Sequence, residues 1–464
     1  MKYLKFLSGS FLFVALIAIS GCINHDPVSI VAYPAPVGLT TSPDFTMLAN
    51  GTNIWVERVG GSTMDQSRGD TSLYHGILED MNIASFSSSG AAEIVITAPE
   101  NIGQYTIRPK NRGIKAVAEG RELRFTIPYP QKLYIEIDSL PHLAVFANHP
   151  EVNPPSKDDR DVVYFEPGIH DPGQIDLQSN QTIYISAGAI VNANVRGNNL
   201  QNVKITGRGI LQGNIRISNT SNLAVDGIFI RNTKGWTNTL TDCRNSSYRN
   251  VKVFGYGDIY SVDGINPVSC RNFTIDDCFM RCRDDCVAIK SMNEKLRVDS
   301  VFVTNNVMVG WACSDGVTLG FELNGSPVEN ILVKNCDILY ARNSGRTGGH
   351  SGFSIVCDGP AWVQNIRFED IRVEEKVDFK NLELIVTSGK YYGEDPPGHI
   401  KGIYLKNISW ENVEKPFIIN GFSPDNLVED VTFDHCTVGD KVLTGTPDAD
   451  FRVNEFTSGI KFIY

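Results

Sequence analysis

Apolar and polar residues alternate with a period of two along nearly the whole chain, and no stretch beyond the N-terminus carries a helical period. Between Thr46 and Asp138 the runs Asn53–Val56, Ala92–Ile96, Leu123–Ile127 and Leu133–Ile137 are separated by turn residues such as Gly51, Gly103, Gly120 and Pro130. Short alternating runs bounded by turns predict an N-terminal β-sandwich over residues 45–155. Pro150, Pro154, Pro155 and the charged run Lys157 to Arg160 mark the connection to a second domain.

From residue 156 to about 445 a repeat sets the architecture: Asn, apolar, any, apolar, any, then Asn, Asp or Gly. Copies begin at Asn202, Asn222, Asn250, Asn272, Asn330, Asn365, Gly402 and Asp430, with Ser300 to Asn305 filling the widest gap. Strands this short and this regularly spaced predict a right-handed parallel β-helix, in which each coil covers the core of the one before. Asn suits the corners because it tolerates left-handed backbone and bonds along the stack. The fold expected is all-β, a β-helix with an N-terminal β-sandwich, closed by a tail over residues 446–464.

The composition adds constraints. With 42 Lys and Arg against 53 Asp and Glu, the net charge of −11 argues against nucleic acid as a partner. Lys2 and Lys5 precede the uncharged stretch Phe6 to Ile19, which is too short to span a bilayer. Ile19-Ser20-Gly21-Cys22 resembles a bacterial lipobox, so residues 1–22 read as a lipoprotein signal peptide and residues 23–44, rich in proline, as a tether. The expectation is a protein exported and anchored to the cell envelope through lipid on Cys22, contacting membrane in no other way. Nine further cysteines are an odd number, which excludes a complete disulfide framework. Cys278, Cys282 and Cys286 recur every fourth residue without a second metal-ligating pair and read as buried thiols.

In a β-helix, residues one coil apart become neighbours about 4.8 Å apart along the axis. Asp263 precedes Asp284 and Asp285 by about one coil, and Asp315 follows by another. Stacked carboxylates repel and raise one another's pKa, which suits an acid and a base flanking a glycosidic bond. The same column also suits calcium, so a calcium-dependent polysaccharide lyase and a non-catalytic glycan-binding β-helix stay open as alternatives. Because neighbouring strand residues point to opposite faces, the backbone must bend for Asp284 and Asp285 to share a cleft.

Ser261-Val262-Asp263-Gly264 and Asp284-Asp285-Cys286-Val287-Ala288-Ile289-Lys290-Ser291 resemble the Asn-Thr-Asp and Asp-Asp-Cys-Ile-Ala-Ile-Lys-Ser segments of glycoside hydrolase family 28, the polygalacturonases. Val163 to Gly168, Ser179-Asn180, Gly188-Ala189, Asn202 to Gly209 and the aromatic-led segment from Trp311 to Phe321 resemble family 49, the dextranases and isopullulanases, which share the clan and carry an N-terminal β-sandwich. The resemblance implies an inverting hydrolase of an extracellular polysaccharide such as an α-glucan, a pectin-like polymer or a sulfated one. It implies Asp284 as general acid, with Asp263 and Asp285 orienting and deprotonating water. This chemistry calls for no cofactor and no metal. Two departures bear on substrate. Ser314-Asp315-Gly316 stands where the polygalacturonases have Gly-His-Gly, and Arg346-Thr347-Gly348 falls near their Arg-Ile-Lys, which reads the galacturonate carboxylate. Asp315, Lys290, Arg342, Arg346, His350 and Trp311 are the candidate substrate contacts. Trp362 is a further aromatic that can stack on sugar, although aromatics in a β-helix are more often core.

Overall fold

The computed structural model describes residues 28–60, 79–255, 261–311, 314–342, 351–389 and 392–464. Cys22, Arg346 and His350 lie outside the described residues.

The N-terminal domain is a sandwich of two sheets. One runs Ile30–Ala32, Met81–Ser88, Leu143–Asn148, Lys132–Ile137, Tyr105–Arg108, with Val56–Val59 also paired to Met81–Ser88. The other runs Thr52–Ile54, Thr46–Ala49, Ala92–Thr97, Glu122–Ile127, Ala116–Glu119. Alternation along Glu122–Ile127 sends Leu123, Phe125 and Ile127 inward, where they meet Phe86, Leu133, Ile135 and Val145 from the facing sheet. The segment expected to be a tether starts this domain: Ile30–Ala32 pairs antiparallel with Phe86–Ser88. A strand of three residues among prolines leaves no periodic trace in the sequence.

The β-helix begins at Val162–Phe165, and its strands pair in parallel from coil to coil as far as Val428–Asp434. Inward residues such as Ile205, Val225, Ile275, Val303, Val333, Phe368 and Leu405 form one continuous core. The Asn corners behave as the repeat predicts. Asn202, Asn222, Asn272, Asn330 and Asn365 all have positive φ, between 49° and 58°. Their amides bond along the stack, Asn202 to Asn180 at 2.9 Å, Asn222 to Asn202 at 2.9 Å and Asn365 to Asn330 at 2.6 Å. One copy is misplaced in the sequence reading. The register puts Asn245, not Asn250, in this column, and Asn272 bonds Asn245 at 2.8 Å. That coil hides its pattern because the inward position after Asn245 is Ser246, whose hydroxyl accepts the Leu223 N–H. The residues expected to be a tail pair with the last coils: Phe451–Val453 with Phe417–Ile419, and Lys461–Ile463 with Thr432–Asp434.

The sandwich lies against the outer face of the β-helix. Ile190, Ile210, Phe229, Phe279 and Val307 point out of the coils and are buried by Phe146, Tyr134 and Ile83. Around this apolar strip Arg108 bonds Glu136, Glu374 and Glu375, Arg231 bonds Glu57 at 2.7 Å, and Arg112 bonds Asp337 at 3.0 Å. The coils and the sandwich therefore share a desolvated contact. The thiols of Cys278, Cys282 and Cys286 are buried in the β-helix core, and burial pushes Cys278 up to about 12.

Candidate active site

The strands Ile265–Val268, Val287–Ser291, Val317–Leu323 and Ser351–Cys357 stack in that order, with Ile265 on Val287, Val287 on Val317 and Val317 on Phe353. Two residues before these paired positions stand Asp263, Asp285, Asp315 and Ser351, so three carboxylates occupy one line across successive coils. Gly264 and Gly316 follow two of them, and a Cβ on Gly264 would lie 2.4 Å from the Cys286 carbonyl oxygen. The coils are packed so closely here that the residue after the carboxylate has to be small.

The line is held by its own backbone. Asp285 Oδ1 accepts the Asp315 N–H at 2.8 Å, and Asp315 Oδ1 accepts the Ser351 N–H at 2.6 Å. Asp315 also accepts the Ser354 hydroxyl. The ladder changes at Asp284, whose Oδ1 takes the Asp285 N–H at 3.0 Å. Asp263 accepts from Asn266 Nδ2 at 2.6 Å. Asp263, Asp285 and Asp315 are buried, at 3–4% exposure, whereas Asp284 is half-buried. Asp284 is therefore the carboxyl of the group most open to an incoming molecule.

Beyond the carboxylates the outward positions of the same strands are Asn266, Ala288, Thr318 and Ser354, all polar or small and all buried. Outward polar residues are buried only where a recess is walled over or their bonds are met. Lys290 is the next outward position after Ala288 on its strand, since Val287 and Ile289 point into the core. Burial alone would lower its pKa, but Asp263, Glu322 and Asp285 outweigh it and hold the ammonium above its ordinary value. Its Nζ bonds Glu322 at 2.8 Å and lies 4.7 Å from the centroid of the Trp236 ring.

The candidate contacts fall differently. Lys290 and Asp315 join the carboxylate group. Trp311 does not offer a sugar a face: it is 4% exposed, packs edge-on to His142 at 5.8 Å and against Tyr340 at 5.0 Å, and carries the Arg281 and Arg342 guanidiniums over its ring. The sandwich covers it, a contact its local sequence does not announce. Arg342 lies over Trp311 and 4.0 Å from Asp378. Trp362 is stacked flat on His399 at 4.2 Å and is 43% exposed. The strand stacked on the Asp315 coil is Ser351–Cys357, which holds Ser354 and Val356 and no Arg or Lys. Sequence reasoning missed Trp236, Asn266, Glu322 and Asp358. Only register arithmetic from Asn238 on Ile265 would have found Trp236, which occupies the Asp263 position one coil earlier.

Residues 213–417 match the family model described as Glycosyl hydrolases family 28, a span that contains Asp263, Asp284, Asp285 and Asp315. Polygalacturonase QRT2 of Arabidopsis thaliana is 25% identical over 193 residues, 41% of this chain and 40% of that protein. An exopolygalacturonase of Zea mays is 26% identical over 34% of this chain and 37% of its own length. The chain thus spans about two fifths of the curated relatives it matches. In fold it is similar to Dex49A from Penicillium minioluteum, with a TM-score of 0.65 and 13% identity over 93% of this chain and 96% of that one. The exopolygalacturonase of Thermotoga maritima aligns with a TM-score of 0.54 and 17% identity over 65% of this chain and 83% of that one. By family match over its central coils and by fold over nearly its whole length, the chain resembles the polygalacturonase and dextranase clan of glycoside hydrolases.

Proposed function

We propose that the protein is an exported, lipid-anchored glycoside hydrolase that cleaves a polysaccharide with inversion at the anomeric carbon. The observation that carries this reading is the line of Asp263, Asp285 and Asp315 on successive coils, with half-buried Asp284 beside it. Asp284 gives its proton to the departing oxygen. Asp263 and Asp285 take a proton from water and direct it to the opposite face of the sugar, a geometry that needs acid and base roughly 6.5–9.5 Å apart. Asp315, which by the sequence resemblance falls near the polygalacturonase histidine, is bonded to Ser351 and Ser354 and sets the stacked backbone behind Asp285.

The substrate we propose is a neutral glycan in preference to homogalacturonan. Support comes from the strand Ser351–Cys357, whose described side chains include no cation to read a uronate carboxylate. The test is to incubate the protein with dextran, other α-glucans, homogalacturonan and sulfated polysaccharides, assay reducing ends, and follow the first product by proton NMR. Release of oligosaccharides of inverted configuration from a neutral polymer is the expected result. Efficient release of galacturonate oligomers refutes the substrate assignment, and an unsaturated, ultraviolet-absorbing product refutes hydrolysis in favour of a lyase.

A further inference from the structure

Trp236 stands where the carboxylate line continues one coil toward the N-terminus. Asn238 pairs with Ile265, and the Thr237 N–H donates to the Asp263 carbonyl at 2.9 Å. The turn carrying Trp236 is fixed before any ligand arrives. Asn214 Nδ2 donates to the carbonyls of Lys234 at 3.0 Å and Trp236 at 2.7 Å, Asn214 Oδ1 accepts the Lys234 N–H at 3.1 Å, and the hydroxyls of Thr233 and Thr237 bond at 2.9 Å. An ordered aromatic costs little further entropy on binding. Trp236 is half-buried, and the ammonium of Lys290 lies over its ring.

Lys290 meets Glu322 because of an irregularity in the stack. Ile289 pairs with Leu319 but Ser291 pairs with Leu323, so Gly320, Phe321 and Glu322 together stand opposite the single residue Lys290. Glu322 has φ of 62°, a left-handed conformation that glutamate rarely adopts. The buried carboxylate of Asp358 holds it there by accepting four backbone N–H groups: Glu322 and Leu323 at 3.1 Å each, Tyr392 at 3.3 Å and Gly393 at 2.8 Å. Strain secured by a dedicated clamp marks a position whose side chain is wanted where it is.

We propose that Trp236, Lys290 and Glu322 form a subsite for one neutral pyranose unit, lying along the helix axis next to the carboxylates; this rests on the hydrolase reading above. A paired ammonium and carboxylate set donors beside acceptors, which suits adjacent hydroxyls that each donate and accept. The pair is already balanced in charge, so a neutral hydroxyl meets no uncompensated ion, whereas a uronate carboxylate would face Glu322. Trp236, half-buried where Trp311 is sealed under the sandwich, supplies through the part of its indole that Lys290 leaves uncovered apolar surface for the C–H face of the ring. Asp358 is a positioning residue, acting on the sugar only through Glu322.

The test measures binding rather than turnover. Asp284→Asn protein, its fold checked by circular dichroism, is titrated calorimetrically with isomaltotriose, maltotriose, nigerotriose and trigalacturonate. At least one neutral trisaccharide should bind more tightly than trigalacturonate. Adding Trp236→Ala should weaken that sugar by about tenfold or more. Adding Glu322→Gln should weaken the neutral sugar and tighten trigalacturonate, a reversal that mere loss of structure does not produce. Asp358→Asn should weaken the neutral sugar, with no further loss when combined with Glu322→Gln. Binding of no neutral trisaccharide, or indifference to both Trp236→Ala and Glu322→Gln, overturns the subsite. If the unmutated protein binds a neutral sugar through Trp236 yet releases no reducing ends from any glycan, the hydrolase reading fails and the subsite stands. If it hydrolyses a glycan and ignores both substitutions, the converse holds.

Discussion

Replacing Lys290 with Met keeps an unbranched side chain one atom shorter and removes its charge, and the consequence stems from the coupling seen in the site. Asp263, Glu322 and Asp285 together hold the Lys290 ammonium above its ordinary pKa despite burial. The interaction is mutual, so Lys290 favours the ionised forms of Asp263 and Asp285, and on the proposed mechanism those forms accept the proton from water. A neighbouring opposite charge favours the ionised form of a carboxyl and lowers its pKa. Without the cation, Asp263 and Asp285 protonate at higher pH. The acid limb of the kcat/KM profile should therefore move to higher pH for Lys290→Met. Salt should alter the shift little, because Lys290 is about 5% exposed. Glu322→Gln removes the anion that competes for Lys290, so its limb should move the other way. The assay is initial rate against pH, at substrate well below KM, on the best glycan from the panel. A uniform fall in kcat/KM with the limb unmoved in both variants would refute the reasoning and reduce Lys290 to a packing or binding group.

Arg108 is 2% exposed and joins Glu136 of the sandwich to Glu374 and Glu375 of the β-helix. Arg108→Met should cost about 3–5 kcal/mol by guanidinium unfolding, because it strands the buried Glu374 carboxylate; a loss below about 1 kcal/mol would contradict this. His142 is held down to about 4, first by burial, with Arg281, Arg108 and Arg342 adding and Glu136 opposing. A histidine whose folded value lies below its unfolded 6.5 gives stability that is complete above about pH 6.5 and lost as pH falls toward 4, about 3 kcal/mol in all. His142→Asn should flatten that part of the stability curve, and an unchanged slope would contradict the assignment. Intact mass spectrometry of exported material should find an acylated chain beginning at Cys22; a different start with no acyl group would exclude the anchor.

The sequence was legible wherever one physical pattern acted alone. Asn corners and alternating inward residues report the β-helix directly, because the left-handed corner and the core each demand a residue type. Asp263, Asp284 and Asp285 could be grouped because coil stacking turns sequence spacing into proximity. Legibility failed where packing overrode the local pattern. Ser246 interrupts the repeat because its hydroxyl meets a backbone N–H, and this shifted the coil to Asn250. Trp311 looked available to sugar, yet the distant His142 and Tyr340 pack against it. Glu322 gave no signal at all, since its place depends on a register shift and on Asp358, 36 residues away. Short strands among prolines, such as Ile30–Ala32, are set by the sheet they join.

The central claim is that Asp284 is the acid of this carboxylate group, and the turnover of Asp284→Asn on the preferred natural glycan tests it most directly. With folding intact by circular dichroism, kcat should fall by roughly 10²–10⁴-fold, since asparagine keeps the size of the side chain but has no proton to give the leaving oxygen. Turnover within a few-fold of the unmutated protein would contradict the account.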